Sequence, residues 1–213
     1  MHPHFRLFSV LATALVGLRC EFSDTGKQYL LTRHNELRSL IALGKYVASN
    51  TTKESATNMM KIIWDEDLES SAQNYSSGCP SGHSTNRKDI GENMYWWISP
   101  ADTETNMDVL GNRSSNLWQS EFQSFGWTEN RLTQETFETG IGHASQMAWA
   151  NTQKVGCGVT KCTGDSISGT EYVVVCQYSP AGNYIGSNIY KAGKTCSECP
   201  DGTSCESDTG LCV

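Results

Sequence analysis

The sequence predicts an α/β fold in which helices pack against a small antiparallel sheet, with a short cysteine-rich extension at the C-terminal end. Three observations predict it. Apolar residues recur at helical spacing around residues 23–44, 65–76 and 117–126. Residues 90–97, 155–160 and 172–178 are instead short runs rich in β-branched and aromatic side chains. After Tyr190 apolar residues nearly vanish, and Cys196, Cys199, Cys205 and Cys212 follow. The 213 residues suffice for one core of ordinary size.

The chain opens with His2, His4 and Arg6 ahead of an apolar run, Leu7 to Leu18, broken only by Ser9 and Thr13. That run is too short to span a bilayer and suits the apolar region of an export signal. Residues 1–20 are therefore expected to be a signal peptide, cleaved after Gly17 or Cys20. Residues 21–190 are expected to be the main domain and 191–213 a hinge-like tail. No later stretch is long and apolar enough to anchor the chain, so a secreted, extracellular protein is expected.

The first helix has Leu30, Leu37 and Ile41 on one face, with Leu31 and Leu40 near it. Ser23 or Asp24 can cap it and Gly44 can end it. Residues 45–58 read as a polar connection. A second helix from Asp65 to about Ser76 turns Leu68, Ala72 and Tyr75 inward and stops at Gly78-Cys79-Pro80. A strand covers Ile90 to Trp97. A third helix, capped by Asp102 or Thr103 and interrupted or bent near Gly111, presents Leu117, Trp118, Phe122 and Phe125 as an apolar stripe before Gly126. A fourth covers Ile141 to Trp149. Strands 155–160 and 172–178 follow, joined by a polar turn at 164–169.

Sixteen Lys and Arg face 23 Asp and Glu, a net charge of -7, with no basic cluster to reverse it locally. A phosphate backbone would repel this surface, which excludes nucleic acid as the natural partner. Nine cysteines occur. If export removes Cys20, the other eight, Cys79, Cys157, Cys162, Cys176, Cys196, Cys199, Cys205 and Cys212, can form four bridges. Spacing does not say which pair. Four tail cysteines without a nearby histidine favour bridges over a zinc knuckle. Sequons at Asn50, Asn74 and Asn112 offer glycan acceptors.

Four ionisable residues beside glycine turns or an apolar stripe form a candidate set: His83, Glu92, Glu121 and His143. Neutral imidazoles bind divalent metals, and a carboxylate orients such a ring through its second nitrogen. Zn2+ or another divalent cation is thus the cofactor to consider, on His83 and His143. The same groups also suit acid–base chemistry without metal. His34 reads as a structural partner at the core edge, and Asn35 and Arg38 as donors to loop carbonyls. No serine has a nucleophile-elbow setting, and Glu92 with Glu121 is too little for a glycosidase.

These residues sit in motifs. Gly142-His143-Ala144-Ser145-Gln146-Met147-Ala148-Trp149 resembles the first signature of the CAP (SCP/TAPS) superfamily. Val174-Val175-Cys176-Gln177-Tyr178-Ser179-Pro180-Ala181-Gly182-Asn183 resembles the second. His34-Asn35 with Arg38, and Gly91-Glu92-Asn93, match two shorter motifs, so the likeness runs from about Tyr29 to Ile189. Within the superfamily the chain resembles nematode venom-allergen-like or activation-associated secreted proteins. Ile189-Tyr190 and Lys194 leading into the four-cysteine tail add to that.

The resemblance implies a CAP-type α-β-α sandwich with His83, Glu92, Glu121 and His143 around a central cavity. It implies metal at the two histidines in some members. Ala144 stands where an aromatic residue is usual, and Glu66 where relatives often have cysteine, so one family bridge is expected to be absent or rearranged. The functions it implies are carriage of sterol or fatty acid at a host–parasite interface, an immunomodulatory protein-interaction module, or metal-assisted hydrolysis. The first is the leading expectation, with an enzyme the less favoured one. Trp96, Tyr184 and Tyr190 are the candidate ligand-loop aromatics, Trp96 facing outward by strand alternation while Tyr95 and Trp97 face the core.

Overall fold

The computed structural model describes residues 20–99, 106–162 and 169–213. The chain runs α1 (Asp24–Ala42), the hairpin strands β1 (Val47–Ala48) and β2 (Thr51–Thr52), β3 (Ile63–Trp64), and α2 (Glu66–Ser77). Then come β4 (Gly91–Ser99), α3 (Met107–Ser124), α4 (Gln134–Glu138) and α5 (Gly142–Ala148). The last elements are β5 (Lys154–Cys162), β6 (Thr170–Ser179), and the tail strands β7 (Cys205–Glu206) and β8 (Leu211–Cys212).

Helix α1 starts where its chemistry allows. The Ser23 side chain accepts from the Gly26 amide, and Leu30, Leu37 and Ile41 are buried along one face. Helix α2 is capped by Asp65, which accepts from the Leu68 amide, and buries Leu68, Ala72 and Ser76. The central sheet has the order β3-β5-β6-β4, so β4 is an edge strand. Its β4–β6 and β5–β6 ladders are antiparallel, as expected, but the two-residue β3 joins β5 in parallel.

Strand alternation divides the protein into three layers. Val155, Cys157 and Val159 of β5 and Val174, Cys176 and Tyr178 of β6 share one core with Leu30, Phe122 and Met147 of the helices. The other sheet face packs Val173, Val175 and Met94 against Ala72 of α2. Gly156 and Gly158 make that second packing possible. A Cβ at either would strike the α2 backbone, at Leu68 to Glu69 and at Ala72 to Gln73. The architecture is the expected α-β-α sandwich.

Four bridges close the structure: Cys79–Cys162, Cys157–Cys176, Cys196–Cys205 and Cys199–Cys212. Among the described residues Cys20 is the free cysteine. The tail does more than hang from its bridges. Leu211 and Cys212 are buried, the Cys212 amide donates to Met59 O, and the Lys61 amide donates to Cys212 O, both at 2.8 Å.

Several expectations need correcting. Helix α3 runs through Gly111 without interruption, and a Cβ at that position would crowd the Phe22 and Leu30 side chains. Its described cap is Asn106, and Asp102 and Thr103 lie outside the described residues, as does most of the 164–169 turn. Its buried face is Leu110, Ser114, Trp118 and Phe122, while Leu117 and Phe125 are exposed. The stripe is narrower than apolar composition implied. Residues 45–58 include the β1–β2 hairpin and buried Ala48 and Ala56 instead of a plain polar link.

Candidate functional site

The two candidate histidines each hold a carboxylate. His83 Nδ1 lies 2.8 Å from Glu92 Oε1. Glu92, on edge strand β4, has a fully buried side chain and accepts three more bonds: from the Ser84 amide (2.9 Å), Ser84 Oγ (2.8 Å) and Gln177 Nε2 (3.2 Å). Burial alone would raise its pKa. The donors from His83, Ser84 and Gln177 outweigh burial and hold it at about 2. Arg87 Nε stands 3.6 Å from the same carboxylate.

The second pair is built by two helices. Glu121 of α3 aims at the start of α5, where Oε1 meets His143 Nδ1 at 2.5 Å. Its Oε2 accepts from the amides of His143 (2.9 Å) and Ala144 (3.0 Å). Glu121 therefore satisfies two first-turn donors of α5, which has no side-chain cap of its own. Trp118, one turn earlier on α3, stacks on the His143 ring at 5.8 Å between centroids. Both imidazoles are partly open to solvent, with side chains 49% exposed for His83 and 34% for His143.

Strand β4 links the pairs through adjacent residues. Glu92 lies on the face shared with Gln177, while Asn93 points to the opposite face. Asn93 Nδ2 donates to His143 O at 3.2 Å and to Tyr178 Oη at 3.1 Å. The four side chains are thus organised as two His–Glu pairs. Among the described residues, the one group of three potential ligands within 4.8 Å is Cys196, Cys199 and Cys212, and those sulfurs are in disulfides.

A metal fits this donor set in one respect. A carboxylate on Nδ1 keeps the proton there and leaves the Nε2 lone pair for an ion. Two imidazoles fall short of the three or four protein ligands of established zinc sites, so water would fill the remaining positions. Ser84 Oγ is spent on Glu92, and Ser145 Oγ on Asn183 Oδ1 at 2.7 Å, so neither hydroxyl is paired with an imidazole. Ser84, Gln177 and Trp118 are site residues that spacing did not single out. The clue for Ser84 was its place directly after His83.

The remaining candidates separate clearly. Trp96 faces outward, its indole donating to Pro80 O at 3.0 Å. Tyr184 is exposed beside Trp149. Tyr190 is not a surface residue. It is 3% exposed, packed edge-on to Trp127, with its hydroxyl donating to Glu54 O. Asn50 is exposed at the β1–β2 turn and Asn74 exposed on α2, whereas Asn112 accepts bonds from Arg33 and Asn116.

His34 and Arg38 are wholly buried. His34 Nδ1 bonds Leu30 O at 2.7 Å and Nε2 meets Tyr178 Oη at 2.9 Å. Burial is the main reason its pKa falls to about 4, opposed by the Leu30 carbonyl and aided by Arg38. Arg38 donates to the carbonyls of Met60, Met147, Trp149, Ala150 and Thr152. Asn35 clasps Ile62 through both its amide and its carbonyl.

An apolar recess lies elsewhere. It is a groove of about 630 Å³ between α1 and β3, with Leu31, Leu40, Ile62, Ile63, Trp64 and Leu211 in its walls. Leu40 and Ile63 are 44% and 55% exposed there.

A three-layer α-β-α protein with two His–Glu pairs at an edge strand, stapled by disulfides, is the class defined by this fold and site. The chain belongs to the CAP family, the cysteine-rich secretory protein family, whose family model matches residues 31–178. It is 34% identical over 199 residues to the Ancylostoma secreted protein of Ancylostoma caninum, covering 89% of this chain and 44% of that protein. It is 33% identical over 189 residues to Venom allergen 5 of Microctonus hyperodae, covering 84% and 79%. The crystal structure of NaASP2 with Zn2+ superposes with a TM-score of 0.79 at 33% identity, covering 92% of this chain and 99% of that one. The chain therefore spans under half of the first relative's length. Among the described residues no helix is long and apolar enough to cross a membrane.

Proposed function

We propose that the protein is a secreted, extracellular binding protein that carries a small apolar ligand, a sterol or a fatty acid, at a host–parasite interface. One observation carries the ligand class: the groove along α1. Its volume lies within the range of small-molecule sites, and its walls are largely apolar. Leu40 and Ile63 leave apolar surface in water that a bound lipid would cover. The setting is supported by likeness to a relative named a secreted protein of Ancylostoma caninum. The test is equilibrium binding of labelled cholesterol and labelled palmitate to folded, delipidated protein. Saturable binding of either supports the reading, and failure of both ends it.

A second reading has its own observation. Each partly exposed histidine has its Nδ1 occupied by a glutamate, which leaves Nε2 as the ring nitrogen not taken by that carboxylate. That favours reversible divalent-metal binding by His83 and His143, and the NaASP2 structure with Zn2+ adds to it. Calorimetric titration with Zn2+ tests it: no heat above the level of a His83→Ala/His143→Ala variant rejects it.

A further inference from the structure

The two tail bridges lie side by side. Cys196–Cys205 and Cys199–Cys212 are separate bonds, yet the sulfurs of Cys196, Cys199 and Cys212 all lie within 4.8 Å of one another. Among the described residues, neither bridge of the main domain has a third sulfur this near. The two tail bridges also differ in access. Cys205 is exposed, Cys196 and Cys199 are half-buried, and Cys212 is fully buried. A thiol arriving from solvent therefore meets the Cys196–Cys205 bridge first, at Cys205.

The buried end is where the tail docks. The Cys212 amide donates to Met59 O, and its carbonyl accepts from the Lys61 amide. Leu211, its neighbour, is a wall of the recess along α1. The spacing Cys196-Ser197-Glu198-Cys199 is that of a Cys-x-x-Cys pair, which favours the thiolate form. Ser197 and Glu198 are exposed, so a bond between the two cysteines would displace no core side chain.

We infer that the tail is a thiol–disulfide relay that passes reduction from exposed Cys205 to buried Cys212. A small thiol such as glutathione attacks Cys205 Sγ as its thiolate. A mixed disulfide forms on Cys205, the Cys196–Cys205 bond breaks, and its electron pair leaves on Cys196 Sγ. The Cys196 thiolate then attacks Cys199 Sγ. The Cys196–Cys199 bond forms, the Cys199–Cys212 bond breaks, and Cys212 leaves as a thiolate that takes a proton from water. One thiol is consumed and one is released, so no outside oxidant is needed. The inference is independent of what the recess along α1 carries.

The experiment treats the oxidised full chain with reduced glutathione, quenches in acid, alkylates, and maps the bridges by mass spectrometry. Cleavage after Lys194, Glu198 and Glu206 gives peptides 195–198 with Cys196, 199–206 with Cys199 and Cys205, and 207–213 with Cys212. In untreated protein the two bridges tie all three together. The relay releases 207–213 alkylated on Cys212, and leaves 195–198 joined to a 199–206 that carries glutathione on Cys205. Release of 195–198 instead, with Cys199–Cys212 intact, overturns the inference, as does a link from 195–198 to 207–213. Glutathione on Cys199 or Cys212 with Cys196–Cys205 intact overturns it too, and so does a tail that resists glutathione altogether. Cys205→Ser frees Cys196 without any added thiol, and should release 207–213 in untreated protein. Release of 195–198 alone from a folded Cys205→Ser chain shows that Cys196 does not attack its neighbour. If that variant misfolds, the wild-type map decides.

Discussion

His34 and His143 stand near opposite ends of one hydrogen-bonded chain, yet the protein uses them in opposite ways. His34 is sealed between Leu30 O and Tyr178 Oη, Tyr178 Oη accepts from Asn93, and Asn93 reaches His143 O. At the buried end both ring nitrogens are engaged, so the ring can only position its neighbours. At the other end a carboxylate takes one nitrogen of a ring that is partly exposed to solvent. The residue type is the same, and burial together with the number of partners decides its role. The difference teaches that permanence and availability are supplied by different regions of one network.

The sharpest way to break the buried region is Arg38→Ala. Five carbonyls would lose a donor inside the core, and water has little access to replace it. Orphaned buried acceptors cost about 1–3 kcal/mol each when unrelieved, so a loss of at least about 4 kcal/mol or outright failure to fold is expected. Arg38→Lys keeps the charge but only three donors on one nitrogen, and should recover part of it. Denaturant midpoints measure both, and a change under about 1 kcal/mol would show that the cluster is not structural.

The next effect is pH dependence at His34. Its folded pKa of about 4 lies below the ordinary histidine value of 6.5, so between those values the unfolded chain binds more protons. Stability is then full above about pH 6.5 and falls as pH drops toward 4, by up to about 3 kcal/mol. Glu92 adds a lower window of the same sign, between the ordinary glutamate value of 4.5 and about 2. His34→Gln should flatten the upper window and leave the lower one. Urea unfolding at half-unit pH steps checks this, and an unchanged slope in the variant rules His34 out as its source.

The buried region was more legible in the sequence than the exposed one. Apolar spacing marks α1 with its Ser23 cap, and β-branched density marks β6, because local propensity and tertiary packing agree there. The same reading misjudged the face of α3, since Leu117 and Phe125 look as apolar as Trp118 and Phe122 and only packing separates them. It missed β3, whose two residues are held by a parallel neighbour far along the chain, and the docking of Leu211 in a segment nearly devoid of apolar residues. Family motifs contain Glu92 and His143, while His83 stood out beside a glycine turn and Glu121 beside the apolar stripe of α3. The Glu121–His143 pairing depends on α3 packing against α5, which no local pattern encodes. Tyr190 illustrates the opposite failure: an aromatic flanked by polar residues turned out to close the core against Trp127.

The exposed region should break without unfolding. His83→Ala or His143→Ala is expected to lower Zn2+ affinity at least about tenfold while changing stability little, because both rings are partly solvated. Isothermal titration on both variants, with thermal melts alongside, checks it. Equal Zn2+ affinity in wild type and in the double variant would leave the exposed imidazoles without a metal role.

Glu121→Gln makes the finest cut between the two regions. Glu121 Oε2 holds the His143 and Ala144 amides, and Oε1 holds His143 Nδ1. A glutamine has one acceptor oxygen and one NH2 group. The two backbone donors need the oxygen, so the NH2 group must face Nδ1. Nδ1 then has to be the acceptor, which moves the ring proton to Nε2 and removes the lone pair a metal would use. The α5 cap survives, so a stability change within about 1 kcal/mol is expected, together with a 10- to 100-fold loss of Zn2+ affinity. Long-range 15N–1H correlation of the imidazole reports the tautomer directly. Unaltered affinity with a shifted proton would show that Zn2+ does not use His143 Nε2. An unshifted proton would show that the carboxylate caps the helix without orienting the ring.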